Sequence, residues 1–319
     1  MYSIGEARKR LPQDYVDYLY RAFTPKFGDA VLQAAARPLP SSLRVNTLKS
    51  DVHAVMASLR SCGLKFQRVP WSKEALLLDA PREKCLRSMA EYDRGQIYLQ
   101  SLSSMVPPLL LPLAPGQNIL DLCAAPGSKT TQMASLMQNQ GSITANEVDI
   151  LRLERLQYNI GKQGSTIVGT MNMDGTKVGR LSENTFDAVL VDAPCSGEGR
   201  FRLDEPKSYR SWRPPLVQKM ARLQKRLLAS GLDAVKPGGH VLYSTCTVNT
   251  AENEAVIAAL LKARDDVELL PARLTGLKVT AGLTQTDEER WPSALKLAMR
   301  IWPTPNMEGF FCCLMRKRA

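Results

Sequence analysis

The first third of the chain changes its hydrophobic pattern along its length. The segments "PQDYVDYLYRAF" and "GDAVLQAAA" repeat apolar residues at helical spacing, which predicts two amphipathic helices. Further on, "SLRVNTLK", "KFQRVPW" and "ALLLD" predict strands, and "DVHAVMASLRSCG" predicts a helix that ends at Gly63. We expect "GQIYLQSLSSMVPPLLL" to form a helix that ends at the proline pair 107–108 or soon after it. The β-α-β-β run predicts a small α+β unit.

From about Gly116 onward, short apolar runs alternate with longer amphipathic segments. The runs "NILDLC", "SITANEV", "TIVGT", "FDAVLVDAP" and "HVLYST" predict strands, and "EGFFCCLMRKR" predicts a last strand. The segments "SKTTQMASLMQNQ", "DILRLERLQYNIGKQG" and "PLVQKMARLQKRLLASGLDAV" predict helices. This alternation predicts an α/β fold with a doubly wound, mostly parallel sheet. We expect two domains: residues 1–95, which are helical plus small α+β, and residues 96–319, which are α/β.

The net charge of the sequence indicates what kind of partner the protein binds. Lys plus Arg number 42 and Asp plus Glu number 31, which gives a formal net charge of +11. Such an excess favours polyanionic partners, because each neutralised phosphate releases counterions. The longest apolar runs fall short of the roughly 18 residues that a membrane span needs. The segment "MYSIGEARKRLPQDY" lacks the apolar centre of a signal peptide. We expect a cytoplasmic protein that does not bind membranes.

The cysteines and histidines argue against a metal centre. The sequence has 7 Cys and 2 His, and its cysteines form no C-x-x-C pair. Zinc sites usually combine such pairs with nearby histidines, so we expect no metal. An odd number of cysteines without a signal peptide favours reduced thiols. We also expect the chain to be a monomer.

The segment "LDLCAAPGSKT" joins a predicted strand to a predicted helix through a turn of small residues. A parallel sheet places ligands at this end of its strands, and small residues let backbone N–H groups approach an adenosyl ligand. The segment matches neither G-x-G-x-x-G nor the phosphate-loop spacing. A tight strand–helix connection without a ligand is the alternative.

Two acidic residues follow the next strands. Glu147, at the end of "ITANEV", is placed to bind ribose hydroxyls. Its alternative role is to interact with the dipole of the following helix, although Asp149 is also placed for that. Asp174 follows "TIVGT", where an adenine amino group would be met; alone it would be a turn residue.

Two cysteines stand just beyond predicted strands, in "VLVDAPCSGEGRFR" and "YSTCTVNTAENE". Cys195 and Cys246 follow their apolar runs instead of lying within them, which weakens a core role. Because α/β sheets keep active sites at the carboxyl ends of their strands, both thiols are placed to face one pocket. They could equally form a redox pair, and Asp192 offers a protonation partner.

These motifs together resemble the Sun/Fmu (NOL/NOP/Sun) family of RNA 5-methylcytosine methyltransferases. The motifs are "LDLCAAPGSKT", "ANEVD", "VDAPCSGEG", "VKPGG", "YSTCT" and "EGFF", and "SLRVNTLK" matches the family's upstream motif. The resemblance covers about residues 40–319 and is strongest to bacterial members that act on the small ribosomal subunit. Those members usually carry a further C-terminal RNA-binding domain of the PUA type, whereas we expect this chain to end after the catalytic fold. Ser128 stands where many members have glycine.

The resemblance implies a Rossmann-like class I fold and S-adenosylmethionine as the cofactor. The residues that it implies for binding this cofactor are Cys123, Ala124, Ala125, Pro126, Gly127, Ser128, Lys129, Glu147, Asp174 and Asp192. It further implies that Cys246 is the nucleophile and that Cys195 assists product release. Carbon 5 of cytosine is a poor nucleophile, so a thiolate must first add to carbon 6. Asp192, protonated or through its backbone neighbours, is expected to stabilise the ring nitrogen.

An RNA partner fits the basic segment "GRFRLDEPKSYRSWRP" beside Cys195. Basic residues with interleaved aromatic rings suit a splayed RNA strand, although a solvated loop is the alternative. The expected contacts are Arg200, Arg202, Lys207, Arg210 and Arg213, with Arg44 from an RRM-like N-terminal domain.

We therefore expect methylation of cytosine in 16S ribosomal RNA. One alternative is the same chemistry on transfer RNA, and another is a non-catalytic RNA-binding assembly factor. A thiol redox protein is the third alternative; it predicts a Cys195–Cys246 disulfide but gives Glu147 no role.

Overall fold

A helical segment opens the part of the chain that the structure, a computed structural model, describes, which is residues 2–319. Its helices are α1 (Ile4–Arg10), α2 (Gln13–Ala22) and α3 (Pro25–Ala35). Helix α1 begins with a capping box, in which the Ser3 and Glu6 side chains each accept from the other residue's backbone N–H. The buried face of α2 includes Tyr15 and Leu19, which is the face that its apolar spacing predicts.

A small antiparallel sheet follows the helices. Its elements are β1 (Ser42–Val45), α4 (Val52–Ser61), β2 (Phe66–Val69), β3 (Ser72–Leu78), α5 (Glu83–Arg87), α6 (Ala90–Asp93) and β4 (Ile97–Leu99). The strand order is β2-β3-β1-β4, which is the ferredoxin-like arrangement. The sheet therefore extends past residue 95.

The helix predicted for "GQIYLQSLSSMVPPLLL" is wrong in its first part. Residues Ile97–Leu99 pair with the free edge of β1 instead, as strand β4. Helix α7 (Leu102–Leu110) begins only after Ser101 and ends just beyond the two prolines. Pairing with β1 satisfies the backbone groups of β4, and this long-range pairing decided the local structure.

The remaining elements build a large mixed sheet. They are β5 (Asn118–Asp121), α8 (Ser128–Leu136), β6 (Ser142–Asn146), α9 (Ile150–Gln163), β7 (Val168–Met171), α10 (Gly175–Leu181), β8 (Phe186–Asp192), α11 (Pro214–Ala234), β9 (Val235–Thr245), α12 (Glu254–Ala263), β10 (Val267–Leu270), β11 (Thr280–Ala281), β12 (Met299–Ile301) and β13 (Phe310–Lys317). Strands β7-β6-β5-β8-β9 run parallel in that order. Strand β13 pairs antiparallel with β9, and β12 and β10 each pair antiparallel with β13.

Helices cover both faces of this sheet, as a doubly wound fold requires. On one face, α10, α11 and α12 contribute Val178, Leu227 and Val256 to the core. On the other face, α7 and α8 contribute Met105 and Met133. The α/β prediction is confirmed, and the antiparallel edge makes the sheet mixed. Among the described residues, no helix combines the length and the apolar character that a membrane span requires.

The small sheet packs against the large domain through one of its faces. Val69, Ala75 and Leu77 lie in the same hydrophobic cluster as Leu102 and Met105 of α7. The opposite face, which includes Leu43 and Leu76, packs against α4. Both faces of the small sheet are therefore covered by protein.

Candidate active site

The turn after β5 shapes one wall of a large cavity. Gly127 begins α8 with a φ of +99°, and a Cβ on this residue would lie 2.8 Å from a methyl carbon of Leu156. Only glycine adopts such a backbone without strain, which explains why it stands at this position. The cavity has a volume of about 750 Å³. The turn residues that line it are Cys123, Ala125, Pro126, Ser128 and Lys129, whereas Ala124 is buried behind them.

The two predicted acids lie on the same cavity. The Glu147 carboxylate accepts from the backbone N–H of Asp149 at 3.0 Å and forms an ion pair with Arg152 at 3.3 Å. Asp149 caps α9 through the N–H of Arg152, so Glu147 is not needed as the helix cap. Asp174 caps α10 by accepting from Thr176, and it also lines the cavity.

Cys195 and Cys246 meet at the opposite wall of this cavity. They follow the neighbouring parallel strands β8 and β9, and their sulfur atoms are 3.1 Å apart. Both thiols are free, although they are placed as a redox pair would be. The hydrogen bond from Cys195 lowers the pKa of Cys246, and the same bond raises the pKa of Cys195. Of the two thiols, Cys246 is therefore the one that loses its proton more readily.

Arg200 strengthens this difference between the two thiols. Its guanidinium lies beside Cys246, where its charge further lowers the pKa of that thiol against the opposing effect of burial. Glu308 lies 3.6 Å from Arg200 Nε, and its carboxylate is the main cause of the raised pKa of Arg200. The sequence predicted Arg200 as an RNA contact, and the position of its guanidinium beside Cys246 was not predicted. The signal was present, because a basic residue stands in the same short loop as Cys195.

Lys129 and Asp192 form an ion pair beside the thiols. Lys129 Nζ is 2.6 Å from Asp192 Oδ2, and it donates to Ser104 Oγ at 2.9 Å. The other oxygen of Asp192 accepts from Ser244 at 2.7 Å. Burial opposes the charge on Lys129, but the adjacent Asp192 carboxylate outweighs burial and raises the pKa of Lys129. The ammonium group is therefore a permanent donor at this wall of the cavity.

Two of the predicted RNA contacts are buried. Arg44 is 3% exposed, and its guanidinium donates to Gln100 and to Thr131 of α8. Arg202 is 8% exposed and donates to the backbone oxygen of Arg37. Both predictions of an RNA contact are wrong, because these arginines tie structural elements together. Arg44 also lies on the sheet face that packs against α7 and α8, so bases cannot stack there as they do on an RRM.

The aromatic rings of the same basic segment are also buried. Phe201 and Trp212 pack edge-on against Tyr15 of α2, at centroid distances of 4.8 and 5.6 Å. Tyr209 belongs to the same hydrophobic cluster. These rings cannot stack on bases, so the interleaved pattern reflected packing. The basic residues of the segment that stay exposed are Arg200, Lys207, Arg210 and Arg213, and the acidic residues Asp204 and Glu205 between them are exposed as well.

Two buried acids that were not predicted connect the cysteine loops. Glu198 accepts from Thr247 and Asn249, which follow Cys246. Glu252 accepts from the backbone N–H of Ser196, which follows Cys195. Both carboxyl groups stand in sequence segments that had been singled out, "SGEG" and "NTAENE". A buried acid would have indicated a structural or functional role at these positions. The residues near Glu198 and Glu252 in the sequence do not predict that their side chains are buried.

Comparison with known proteins gives consistent matches over nearly the whole chain. A family model described as "16S rRNA methyltransferase RsmB/F" matches residues 108–316, and an RsmF/B-like ferredoxin-like domain model matches residues 11–83. The ribosomal RNA small subunit methyltransferase F of Cronobacter sakazakii is 39% identical over 97% of this chain. The protein of the same name from Shewanella amazonensis is 37% identical over 97% of it.

The matches differ in length. This chain spans 64% and 65% of those two relatives. A solved structure, a methyltransferase homolog protein from Pyrococcus horikoshii, is 34% identical and matches 98% of both chains with a TM-score of 0.86. The fold, including the small N-terminal sheet, is therefore shared along the full length of that structure.

Proposed function

The chain belongs to the RsmB/F family of 16S rRNA methyltransferases, and on this premise we propose that it methylates carbon 5 of a cytosine in small-subunit ribosomal RNA. The observation that carries the proposal is the pair of thiols 3.1 Å apart beside a lysine–aspartate ion pair, on one wall of a large cavity. A cytoplasmic location and a monomeric state remain parts of the proposal.

S-adenosylmethionine is the proposed cofactor, and the residues of the cavity fit it. Glu147 supplies a carboxylate for ribose hydroxyls, and Leu223 and Leu227 supply apolar lining near Asp174. Asp121, at the end of β5, keeps a buried carboxylate oxygen for which the described residues supply no donor. When bound, S-adenosylmethionine supplies the methyl group as part of a sulfonium ion.

Cys246 is the proposed nucleophile. Its thiolate adds to carbon 6 of the cytosine, which leaves carbon 5 electron-rich and able to accept a methyl group. Cys195 and Arg200 favour the thiolate form before the substrate arrives. The thiol of Cys195 carries the opposite preference, so the two sulfur atoms have different roles.

Lys129 is the proposed donor to the pyrimidine ring. Addition of the thiolate to carbon 6 moves negative charge onto ring nitrogen 3 and the exocyclic carbonyl oxygen, and a fixed ammonium group stabilises such charge. Asp192 orients Lys129, because its carboxylate holds the ammonium at 2.6 Å while Ser244 holds the carboxylate. Because both oxygens of Asp192 are engaged, this arrangement favours Lys129 over a protonated Asp192 as the donor.

Cys195 is proposed to assist release of the product. After methylation, a water molecule that enters the cavity takes the proton from carbon 5, and the electron pair of that C–H bond restores the ring double bond as the Cys246–carbon 6 bond breaks. The Cys195 thiol donates to the departing sulfur, which stabilises the thiolate that forms. The exposed side chains of Lys207, Arg210 and Arg213, in the segment that follows the Cys195 loop, are the remaining candidates for phosphate contacts.

Labelled S-adenosylmethionine tests this function. The purified chain is incubated with small-subunit RNA, assembled small subunits or bulk transfer RNA, and the digested nucleosides are separated. We expect label in 5-methylcytidine from a small-subunit substrate. Label in a different nucleoside, or in transfer RNA alone, would overturn the proposal as stated.

A further inference from the structure

Two loops carry the thiols, and a carboxylate from each loop accepts hydrogen bonds from the other loop. The Cys195 loop (193–200) provides Glu198, which accepts from Thr247 at 3.1 Å and from Asn249 at 2.9 Å. The Cys246 loop (246–253) provides Glu252, which accepts from the backbone N–H of Ser196 at 2.9 Å and from the Ser196 hydroxyl. The loops are therefore fastened by two reciprocal contacts, one residue beyond each cysteine.

These contacts join into one chain of oxygen atoms. Glu198 Oε2 contacts Thr247 Oγ1 at 3.1 Å, and Thr247 Oγ1 contacts Ser196 Oγ at 3.0 Å. Ser196 Oγ then contacts Glu252 Oε1. All four residues are at least nine-tenths buried. We call this series the oxygen chain.

Counting protons along the oxygen chain gives a definite result. Its three oxygen–oxygen contacts need three hydrogen atoms, and the hydroxyls of Thr247 and Ser196 supply two. With both carboxylates ionised, one contact would bring lone pairs together without a hydrogen. Burial makes such an unpaired contact costly. One additional proton, on either carboxyl group, satisfies all three contacts.

We propose that Glu198 and Glu252 are positioning residues that share one proton along the oxygen chain and thereby hold Cys195 and Cys246 at reacting distance. The proposal rests on the proposed function in assigning catalytic roles to the two thiols. The proton count itself follows from the oxygen contacts alone.

The surroundings of the oxygen chain favour this shared proton. Burial, and after it the charge of Glu252, raises the pKa of Glu198 to about 8. Burial also raises the pKa of Glu252. Tyr15 and Tyr18 of α2 and Tyr243 of β9 face the two acids, and burial raises the pKa of all three, so they stay neutral.

The other facing groups do not supply a compensating charge. The thiol of Cys195 is neutral, because its bond to Cys246 and its burial raise its pKa. The charge of Arg300, which lies near Tyr18, is paired with Glu254. Trp212, Asn249 and Gln224 contribute neutral donors to the two carboxyl groups.

The sign of the pH effect follows from these raised pKa values. A carboxyl group whose pKa is higher in the folded state stabilises the fold while it is protonated. That contribution is complete at pH values below the pKa of an unfolded glutamate and is lost as the pH rises through about 8. We therefore expect the thiols to lose their fixed spacing at alkaline pH.

Glutamine substitutions test the proton count. In Glu198→Gln or Glu252→Gln, an amide N–H replaces the shared proton, so all three contacts stay satisfied at any pH. In the double variant, two amides and two hydroxyls direct four hydrogens into three contacts. The count therefore predicts that each single variant is tolerated and that the double variant is worse than the sum of the two.

Two measurements that need neither RNA nor cofactor follow these variants. The first is the rate at which phenylarsine oxide bridges the two thiols between pH 6 and 9, with Cys195→Ser as the blank. The second is the unfolding midpoint in denaturant over the same range. In the native sequence, the bridging rate and the denaturant concentration at half-unfolding should both decrease as the pH rises, with half of the decrease reached near pH 8. This decrease should disappear in each single glutamine variant.

Trp212→Phe is the matched control. It removes a donor that lies 3.0 Å from the other oxygen of Glu198 but leaves the oxygen chain intact, so the fall should remain. Because that donor lowers the pKa of Glu198, the fall should move to a pH somewhat above 8. An unchanged pH midpoint in both glutamine variants, or a double variant no worse than the sum, would overturn the proposal. Failure to methylate RNA would instead count against the proposed function.

Discussion

Two pairs of cysteines lie close together in this molecule, yet their surroundings differ. The loop pair, Cys195 and Cys246, meets at 3.1 Å beyond the ends of β8 and β9. The strand pair, Cys312 and Cys313, lies within β13 and pairs with β9, the strand that leads to Cys246. Burial raises the pKa of both thiols of the strand pair, whereas the pKa of Cys246 is lowered.

The neighbours of each pair explain the difference. Successive residues of a strand point to opposite faces, so Cys312 and Cys313 enter two separate hydrophobic clusters and cannot assist each other. Cys246 lies beyond its strand, where its sulfur contacts the sulfur of Cys195 and Arg200 provides a positive charge. A partner thiol and a nearby cation therefore lower the pKa of Cys246, whereas burial alone raises the pKa of a cysteine.

Loss of Cys246 should give the largest effect. Cys246→Ala removes the sulfur that must bond to carbon 6, so methyl transfer should fall by at least about 10³-fold. The measurement is the single-turnover rate with labelled S-adenosylmethionine. Cys313→Ala is the control from the strand pair and should keep its rate. A Cys246→Ala chain that still methylates would show that the nucleophile lies elsewhere.

Loss of Cys195 should separate bond formation from bond breakage. In Cys195→Ala, the departing sulfur loses its donor, so the covalent protein–RNA species should accumulate. A band that survives denaturing electrophoresis and disappears after RNase treatment measures it. The Cys195→Ala/Cys246→Ala double variant is the control and should form no such band. An adduct that appears only without Cys246 would reverse the two assignments.

Arg200 should have a smaller effect, on the thiolate alone. Arg200→Gln removes the positive charge beside Cys246, which raises the pKa of that thiol. Alkylation of Cys246 by iodoacetamide at neutral pH should therefore slow by about fivefold, the size expected for one partly exposed charge. Arg210→Gln, an exposed arginine in the following segment, is the matched control. Equal alkylation rates in the two variants would show that Arg200 does not lower the pKa of Cys246.

The sequence predicted which residues lie together at the sheet edge better than it predicted what surrounds them. The positions of Glu147, Cys195 and Cys246 follow from strand ends, because parallel strands deliver the residues that follow them to one edge. The cap at Asp149 is likewise a local property of the chain. Such features need only near neighbours in sequence.

The predictions that were wrong depend on distant contacts. Arg44 and Arg202 looked like surface charges, but they bind Gln100 and the backbone of Arg37. The ring of Phe201 was predicted to be accessible, but Tyr15 of α2 packs against it. Composition cannot distinguish a buried basic–aromatic segment from an exposed one, because the covering element lies far away in the sequence.

The strand pair provides the smallest and most specific test of the comparison. Cys313 is fully buried among apolar side chains, so Cys313→Ala should lower the free energy of unfolding by about 1 kcal/mol, through a small cavity. Cys313→Ser keeps the size of the side chain but buries a hydroxyl, and it should cost about 2 kcal/mol. Denaturant titration of both variants measures the difference. A serine variant as stable as the alanine variant would mean that the hydroxyl finds a partner, and that this thiol is not held by apolar contacts alone.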